Sequence, residues 1–301
     1  MDVSVIIPHY NDADRLRECL ACLAEQVWPG FDAALAVEVI VVDNGSTDLS
    51  AAEAAVGEHS GLATLMEESK PGSYAARNAA LKRASGRYVA FTDSDCRPDP
   101  AWLAEGIKAL EAEPKAGMVG GRIEVFPQDE RRPKAVELYE LVTAFDQKGY
   151  LDRRQFAATA NVVTRRETLD QVGDFDESLK SGGDANWGRR VAEAGLVQRY
   201  APEAVVRHPA RRDFGQILGK KLRVVGSGPR FSGQTLVKKT SPLQVLWNNT
   251  LGIPVGAWRV AMDDRLSGLG ARAKVFGVHL VIRGVSVFER IRLVAGGVGR
   301  R

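Results

Sequence analysis

The sequence predicts an α/β protein with a Rossmann-like, mostly parallel sheet flanked by helices. Short apolar runs alternate with helical segments, and this order is typical of parallel sheets. Polar clusters follow three of the apolar runs, at His9 to Asp12, Asp43 to Asp48 and Asp93 to Asp95. Because such sheets bind ligands at the carboxyl ends of their strands, we expect one ligand site where these clusters converge.

The first hundred residues contain the most regular alternation. The predicted strands are Val3–Ile7, Val37–Val42, Ala63–Met66 and Tyr88–Thr92. The predicted helices run from Asp12 to Val27, from Asp48 onward, from Ala75 to Ala84 and from Asp99-Pro100 onward. Asp is a favoured N-cap residue, and Pro is favoured at the first helical position.

The alternation is less regular after Pro100. The predicted strands there are Met118–Phe126, Asn161–Thr164 and Val205–Arg207. The predicted helices are Arg132–Lys148, Arg166–Val172 and Asp184–Ala194, and glycines end the last two. From about Arg211 onward the chain is basic and punctuated by glycine, which predicts a helical C-terminal extension.

The composition is that of an ordinary soluble protein, with 45% hydrophobic and 26% charged residues. A net charge of +3 conceals an asymmetry. Residues 211–301 contain 17 Lys and Arg against 4 Asp and Glu, a net charge of +13, so the other 210 residues carry −10. A basic end on an acidic body indicates contact with an anionic surface.

A basic stripe is predicted within this C-terminal region. On a helix that starts near Arg272, that residue shares one face with His279, Arg283 and Arg290, while apolar residues fill most of the rest. One interpretation is a helix lying in the plane of an anionic membrane surface. The other is a helix packed on the body of the protein with one solvated stripe.

Asp93 and Asp95 are the first candidates for chemistry. They are one residue apart, directly after a strongly predicted strand, so both carboxylates can reach the same side of the turn. Carboxylate oxygens suit Mg²⁺ or Mn²⁺, which also bind phosphate oxygens. The alternative is a pair of turn or capping residues.

Five segments in this order resemble the signature of family 2 glycosyltransferases. They are Val3 to Asn11, Asp43 to Asp48, Ala75 to Ala79, Phe91 to Asp95, and Gly173 to Glu177 followed by Ser181 to Trp187. The resemblance covers about residues 3 to 208. It implies a GT-A fold, a nucleotide-sugar donor and inversion at the anomeric carbon.

The resemblance also implies roles for the donor side. Pro8 and Tyr10 would line the base and ribose pocket, and Asp43 would accept a hydrogen bond from the base imide, which suits uracil or thymine. Arg77 would approach the base or the diphosphate, although a solvated helix face is the other interpretation. Asp93 would contact ribose or metal.

On the reaction side, Asp95 would bind Mn²⁺ or Mg²⁺, with His208 as a further candidate ligand beside a purely structural role. Asp184 is the candidate general base, although it also suits an N-cap. Many family members have Glu-Asp here, whereas this chain has Gly183-Asp184. Trp187 and Gly183 would form an acceptor or sugar wall, unless Trp187 is part of the core.

These expectations define the predicted activity. Residues 1–210 would form the catalytic domain, with a nucleotide-binding half at 1–100 and an acceptor-side half at 101–210, followed by the basic region at 211–301. The enzyme would transfer a sugar from a UDP- or dTDP-sugar to a hydroxyl of a lipid-linked or cell-envelope glycan. We expect a cytoplasmic protein, peripheral at the inner face of the membrane, with no nucleic-acid partner.

Two alternatives of other classes remain at this point. A nucleotidyltransferase can share the sheet architecture, but it usually has a Gly-rich, Arg-containing phosphate loop after the first strand, where this chain has His9 to Asp12. A non-catalytic nucleotide-sugar-binding module is the second. A dinucleotide oxidoreductase is disfavoured because no G-x-G-x-x-G segment follows a strand.

Overall fold

The computed structural model describes residues 1–179, 181–226 and 252–294 of the chain. The chain divides into two compact units. Unit 1 comprises Met1–Glu124 and Phe145–His208, and unit 2 falls within Val125–Ala144 and Pro209–Arg301. Much of the predicted basic region, residues 227–251 and 295–301, lies outside the described residues.

The described residues contain one eight-stranded sheet with helices on its flanks. The strands are β1 Val3–His9, β2 Val37–Asp43, β3 Ala63–Glu67, β4 Tyr88–Phe91, β5 Arg97–Pro98, β6 Ala116–Phe126, β7 Val162–Arg165 and β8 Val197–Pro209. The helices are α1 Ala13–Ala24, α2 Leu49–Gly57, α3 Ser73–Leu81, α4 Trp102–Glu111, α5 Ala135–Thr143, α6 Gln147–Arg154, α7 Arg166–Val172, α8 Gly183–Glu193, α9 Phe214–Gly226, α10 Gly252–Ala261 and α11 Gly268–Val294.

The strand order is β3-β2-β1-β4-β7-β6-β8-β5. Strands β1 to β4 pair in parallel, whereas β7 runs antiparallel to both β4 and β6, and β5 runs antiparallel to β8. The predicted α/β class with a C-terminal helical extension is confirmed.

Alternation along β1 explains why helices cover both faces. Val3, Val5 and Ile7 belong to one apolar cluster, which also contains residues of α1, α2 and α4. Ile6 belongs to a second cluster with Ala76 of α3. Since successive side chains of a strand point to opposite faces, both faces of this strand are buried and its run is continuously apolar.

Several predicted boundaries were wrong for local reasons. The predicted helix Arg132–Lys148 is two helices, because Phe145 has a positive φ of 54° and Asp146 caps α6 through the amide of Gly149. Helix α4 begins at Trp102 and not at Pro100. The Asp12 side chain makes no cap hydrogen bond in α1 and instead bonds Arg15.

Unit 2 has its own apolar core. Residues of α5, α9 and α11 form one buried cluster, and α11 packs against α5, α9 and α10. Two buried carboxylates on α5 bind the residues that follow β8: Glu140 accepts from the backbone amide of Arg211 at 2.8 Å, and Glu137 pairs with Arg212. Buried carboxylates require such partners.

The predicted basic stripe lies on one helix, α11, but only its last member, Arg290, is exposed. His279 is buried against the ring of Tyr139, with 5.9 Å between the ring centroids, and Arg272 and Arg283 are half-buried. The stripe borders the buried face of α11, which includes Val275 and Ile282. Packing of that face therefore also buries part of the stripe. Among the described helices, none has the length and apolar character needed to cross a membrane.

Candidate active site

The ends of β1 and β2 lie side by side and form the first part of the site. Parallel register places His9 opposite Asp43, the last residue of each strand. The loops that follow are tied together, because Asn11 donates its amide to Ser46 Oγ at 2.8 Å and accepts from the Thr47 amide at 2.8 Å. Two of the predicted polar clusters therefore meet at one sheet edge.

Asp43 presents one occupied and one unoccupied oxygen. Its Oδ2 accepts from the amides of Gly45 at 3.1 Å and Ser46 at 2.9 Å, in a turn where Gly45 has a φ of +84°. Its Oδ1 is buried and has no hydrogen-bond partner in the described part of the chain. Since an unpaired buried acceptor is costly, this oxygen suits a ligand donor.

Tyr10 directly follows His9, the residue paired with Asp43, and its side chain is largely exposed. It is 61% exposed, whereas Pro8 on the preceding strand is half-buried. A flat aromatic ring at the edge of a sheet offers a surface on which a planar base can stack.

Arg77 and Asp93 form a largely buried ion pair. The side chain of Arg77 is 3% exposed, and its Nη2 lies 2.5 Å from Asp93 Oδ1. The interpretation of Arg77 as part of a solvated helix face was therefore wrong. The pair joins α3 to the loop after β4 and occupies one oxygen of Asp93.

Asp95 points to a different partner. Its Oδ1 lies 3.7 Å from Nε2 of His208, near the end of β8, and the imidazole packs on the ring of Phe145 at 4.6 Å. Burial raises the pKa of Asp95, while the charge of His208 acts in the opposite direction. Asp95, His208 and Cys96 offer ligand atoms within 4.8 Å of one another, an arrangement that can hold a metal ion.

Asp184 occupies the first turn of α8. Gly182, the N-cap residue, has a φ of +81°, and Asp184 Oδ1 accepts from the amide of Ala185 at 2.9 Å. Burial raises the pKa of this half-buried carboxyl group, and the charge of Arg77 partly offsets that rise. A carboxylate with a raised pKa is suited to accepting a proton.

The structure buries Trp187 almost completely, at 1% exposure. Its indole N–H donates to the carbonyl oxygen of Gly173 at 3.1 Å, and its ring packs on Phe175 with 5.4 Å between centroids. This position agrees with the core interpretation of Trp187. Contact with a sugar would require its surface to become exposed.

Sequence reasoning missed two side chains on α3. Tyr74 places its hydroxyl 3.5 Å from Asp184 Oδ1. Asn78 exchanges two hydrogen bonds with the backbone of Phe175, at 2.8 and 3.0 Å. The available signal was helical spacing, because Tyr74 is three residues before Arg77 and Asn78 directly follows it.

Comparison with known proteins decides the family. The model of Glycosyl transferase family 2 matches residues 4–173, more than half of the chain. The chain belongs to glycosyl transferase family 2. It is 36% identical over 225 residues to glycosyltransferase AglE of Haloferax volcanii, covering 74% of this chain and 71% of AglE.

Other relatives agree with this family. The chain is 30% identical over 251 residues to the pre-mycofactocin glycosyltransferase of Mycobacterium tuberculosis, covering 81% of this chain but only 50% of that protein. This family 2 chain is thus a glycosyltransferase enzyme, and neither a nucleotidyltransferase nor a non-catalytic module.

Solved structures agree on the GT-A fold. The mannosyltransferase PcManGT of Pyrobaculum calidifontis, solved in complex with GDP-Man and Mn²⁺, superimposes with a TM-score of 0.63 at 24% identity, covering 96% of this chain and 86% of that one. S. aureus TarS 1–349 in complex with UDP gives a TM-score of 0.52 at 20% identity, with 94% and 90% coverage.

Burial of Asp184 has a measurable consequence for stability. Because burial raises its pKa in the folded chain, the folded state binds the proton more tightly, and the free energy of unfolding contributed by this group falls as pH rises above its ordinary pKa. We expect Asp184→Asn to raise the melting temperature at pH 7, measured by thermal unfolding.

Asp176→Asn is the matched control, because the folded structure lowers the pKa of this carboxyl group instead of raising it. Hydrogen bonds from Ser178 lower the pKa of the exposed Asp176 carboxyl group, so its charged form is favoured by folding. This variant should not gain stability at pH 7. A melting temperature of Asp184→Asn below that of the wild type would contradict the account of Asp184.

Proposed function

We propose that this enzyme transfers a sugar from a UDP- or dTDP-sugar to a hydroxyl acceptor with inversion. The observation that carries the proposal is a set of three carboxylates at the end of β2, just after β4 and at the start of α8, in a member of this family. Asp43 has a buried oxygen without a hydrogen-bond partner among the described residues, and Asp95 faces His208. Asp184 contacts Tyr74 of α3, the helix whose Arg77 binds Asp93.

The donor base would bind between Tyr10 and Asp43. The free Oδ1 of Asp43 can accept the imide N–H of uracil or thymine, and the exposed ring of Tyr10 can stack on the base. Pro8 would line the same pocket. Arg77 would approach the base or the diphosphate, and the second oxygen of Asp93 remains for a ribose hydroxyl.

The residues near Asp95 fit a divalent cation. A carboxylate and an imidazole lie within 3.7 Å, and the burial that raises the pKa of Asp95 is the penalty that a bound cation would offset. Asp95 and His208 would hold Mn²⁺ or Mg²⁺, with Asp93 as a further candidate. When bound, such an ion neutralises charge on a diphosphate.

Asp184 would act as the general base. It takes the proton of the acceptor hydroxyl as the hydroxyl oxygen bonds to the anomeric carbon. The bond from that carbon to the diphosphate breaks, and its electron pair remains on the diphosphate. Attack opposite the leaving group inverts the configuration. The reaction requires the carboxylate, so the rate should rise with pH through the raised pKa of Asp184.

The acceptor would be a lipid-linked or cell-envelope glycan, reached at the inner face of the cytoplasmic membrane. Unit 2 supports a membrane contact, because α10, the residue that follows it and α11 expose large apolar side chains: Val255, Trp258, Met262, Leu269, Val281 and Phe288. Clustered exposed apolar residues mark interaction surfaces, and Trp is favoured at the membrane interface.

The exposed face of α11 is uncharged along much of its length. Leu269, Gly277, Val281, Gly284 and Phe288 follow one another at helical spacing and are all exposed. The face also carries one exposed cation, Lys274, which is seven residues before Val281, and Arg259 of α10 is exposed as well. An apolar face with nearby cations suits an anionic bilayer, and we propose this face in place of the basic stripe as the part that enters the lipid.

Nucleotide binding tests the donor assignment. We expect UDP and dTDP to bind more tightly than CDP, GDP or ADP in calorimetric titrations with Mn²⁺. In Asp43→Asn, the side-chain oxygen can still accept from Gly45 and Ser46 while the amide faces the base. The N–H of this side-chain amide would then face the imide N–H of uracil, and two donors cannot form a hydrogen bond. UDP affinity should therefore fall on the order of ten-fold, and the affinity for CDP should fall less.

Two further variants complete this experiment. Asp2→Asn is the matched control, because Asp2 precedes β1, at the end of that strand opposite to Tyr10, and should leave UDP affinity unchanged. Asp95→Asn should make the affinity for UDP the same with Mn²⁺ and with EDTA. Equal affinity of wild type and Asp43→Asn for every nucleotide would sink the base assignment.

Membrane contact is tested by sedimentation with vesicles of phosphatidylcholine and phosphatidylglycerol. We expect the full chain to bind the anionic vesicles, and Val281→Ser with Phe288→Ser to lose most of this binding because the inserted apolar area is removed. Val27→Ser removes an exposed apolar side chain from unit 1 and should bind like the wild type. Undiminished binding by the double variant would refute the contact.

A further inference from the structure

The ring of Tyr74 lies so close to Gly183 that residue 183 has no room for a side chain. A Cβ atom at position 183 would lie 2.7 Å from Cε2 and Cζ of the Tyr74 ring and 2.8 Å from Cε1. Such contacts are too short for real atoms, so residue 183 can carry no side chain while the ring is in place. The ring of Tyr74 therefore fills the room that a side chain at position 183 would need.

The ring of Tyr74 is held in a fixed orientation. It stacks on Phe175 with 5.9 Å between centroids and 21° between planes. The backbone of Phe175 is in turn held by both side-chain groups of Asn78, one turn further along the same helix. Since Tyr74 and Asn78 are both on α3, the hydroxyl has little freedom relative to α8.

The hydroxyl of Tyr74 faces Asp184 in the first turn of α8. It donates to Asp184 Oδ1 at 3.5 Å. An ionised carboxylate oxygen can only accept, so the hydroxyl of Tyr74 is the donor in this contact. Burial and the charge of Asp184 raise the pKa of Tyr74 to about 12, so the proton is present at neutral pH.

We propose that Tyr74 is the positioning residue for Asp184, with its hydroxyl supplying the polar contact that an acidic side chain at position 183 cannot supply in this chain. Oδ1 of Asp184 would then be held by Tyr74 and the Ala185 amide, which leaves Oδ2 to receive the proton of the acceptor. The inference rests on the proposed role of Asp184 as general base.

Tyr74→Phe tests this role, because it keeps the ring over Gly183 and removes only the hydroxyl. We expect kcat for release of nucleotide from the donor sugar to fall on the order of ten-fold, with KM for the donor unchanged, since a misplaced base affects turnover and not donor binding. Tyr88→Phe is the matched control: its hydroxyl bonds Glu111, remote from Asp184, and it should keep the wild-type kcat.

An exchange of side chains provides the second test. Gly183→Glu alone should lose activity because the new side chain clashes with the Tyr74 ring. The double variant that also carries Tyr74→Ser should regain activity because the ring is no longer there. A kcat of Tyr74→Phe equal to the wild type, or an exchange without any recovery, would overturn the proposal. If Asp184→Asn kept full kcat, the proposed function itself would fail, whatever Tyr74 does.

Discussion

The buried ion pair between Arg77 and Asp93 is the interaction on which the site depends. The guanidinium is almost fully buried, and removal of its partner would leave an uncompensated charge, which is strongly destabilising. The pair therefore fixes α3 against the loop after β4. With Asp93 held in this way, Asp95 lies two residues on and faces His208. One contact thus aligns the loop that would carry the metal.

The same helix also orders the other side of the site. From α3, Tyr74 reaches Asp184 and Asn78 holds the backbone of Phe175, while Arg77 lowers the electrostatic cost of charging Asp184. The site lies where parallel pairing changes to antiparallel pairing, beside β4. A sheet of this kind leaves a crevice at its carboxyl edge, and the carboxylates described here border that edge.

The sequence was sufficient for the parallel half of the fold, because buried strands read as continuous apolar runs and the polar clusters follow them directly. It was insufficient where distant contacts decide the outcome. The charge pattern predicts one helix across Phe145, but the positive φ of that residue divides it into two. Strand β8 is thirteen residues long, although the sequence predicts a strand only at Val205–Arg207. The packing of Tyr139 on His279 likewise buries part of a stripe that helical periodicity predicts as basic.

Likewise, only some residues of the candidate site could be predicted from the sequence. Motif residues such as Asp43, Arg77 and Asp95 could be named from sequence, since each belongs to an ordered signature. For Tyr74 the sequence offers only helical spacing from Arg77, because its importance arises from its contact with Gly183, more than a hundred positions further along the chain. Only the three-dimensional contact shows why a glycine precedes Asp184 here.

Turnover by Asp184→Asn, measured beside its affinity for UDP, tests the central claim most directly. Asn has nearly the same shape as Asp but cannot take a proton from the acceptor. The account predicts that release of nucleotide from the donor sugar falls at least about a hundred-fold, while calorimetry gives the wild-type affinity for UDP with Mn²⁺. Release at the wild-type rate would contradict Asp184 as the base and with it the proposed mechanism.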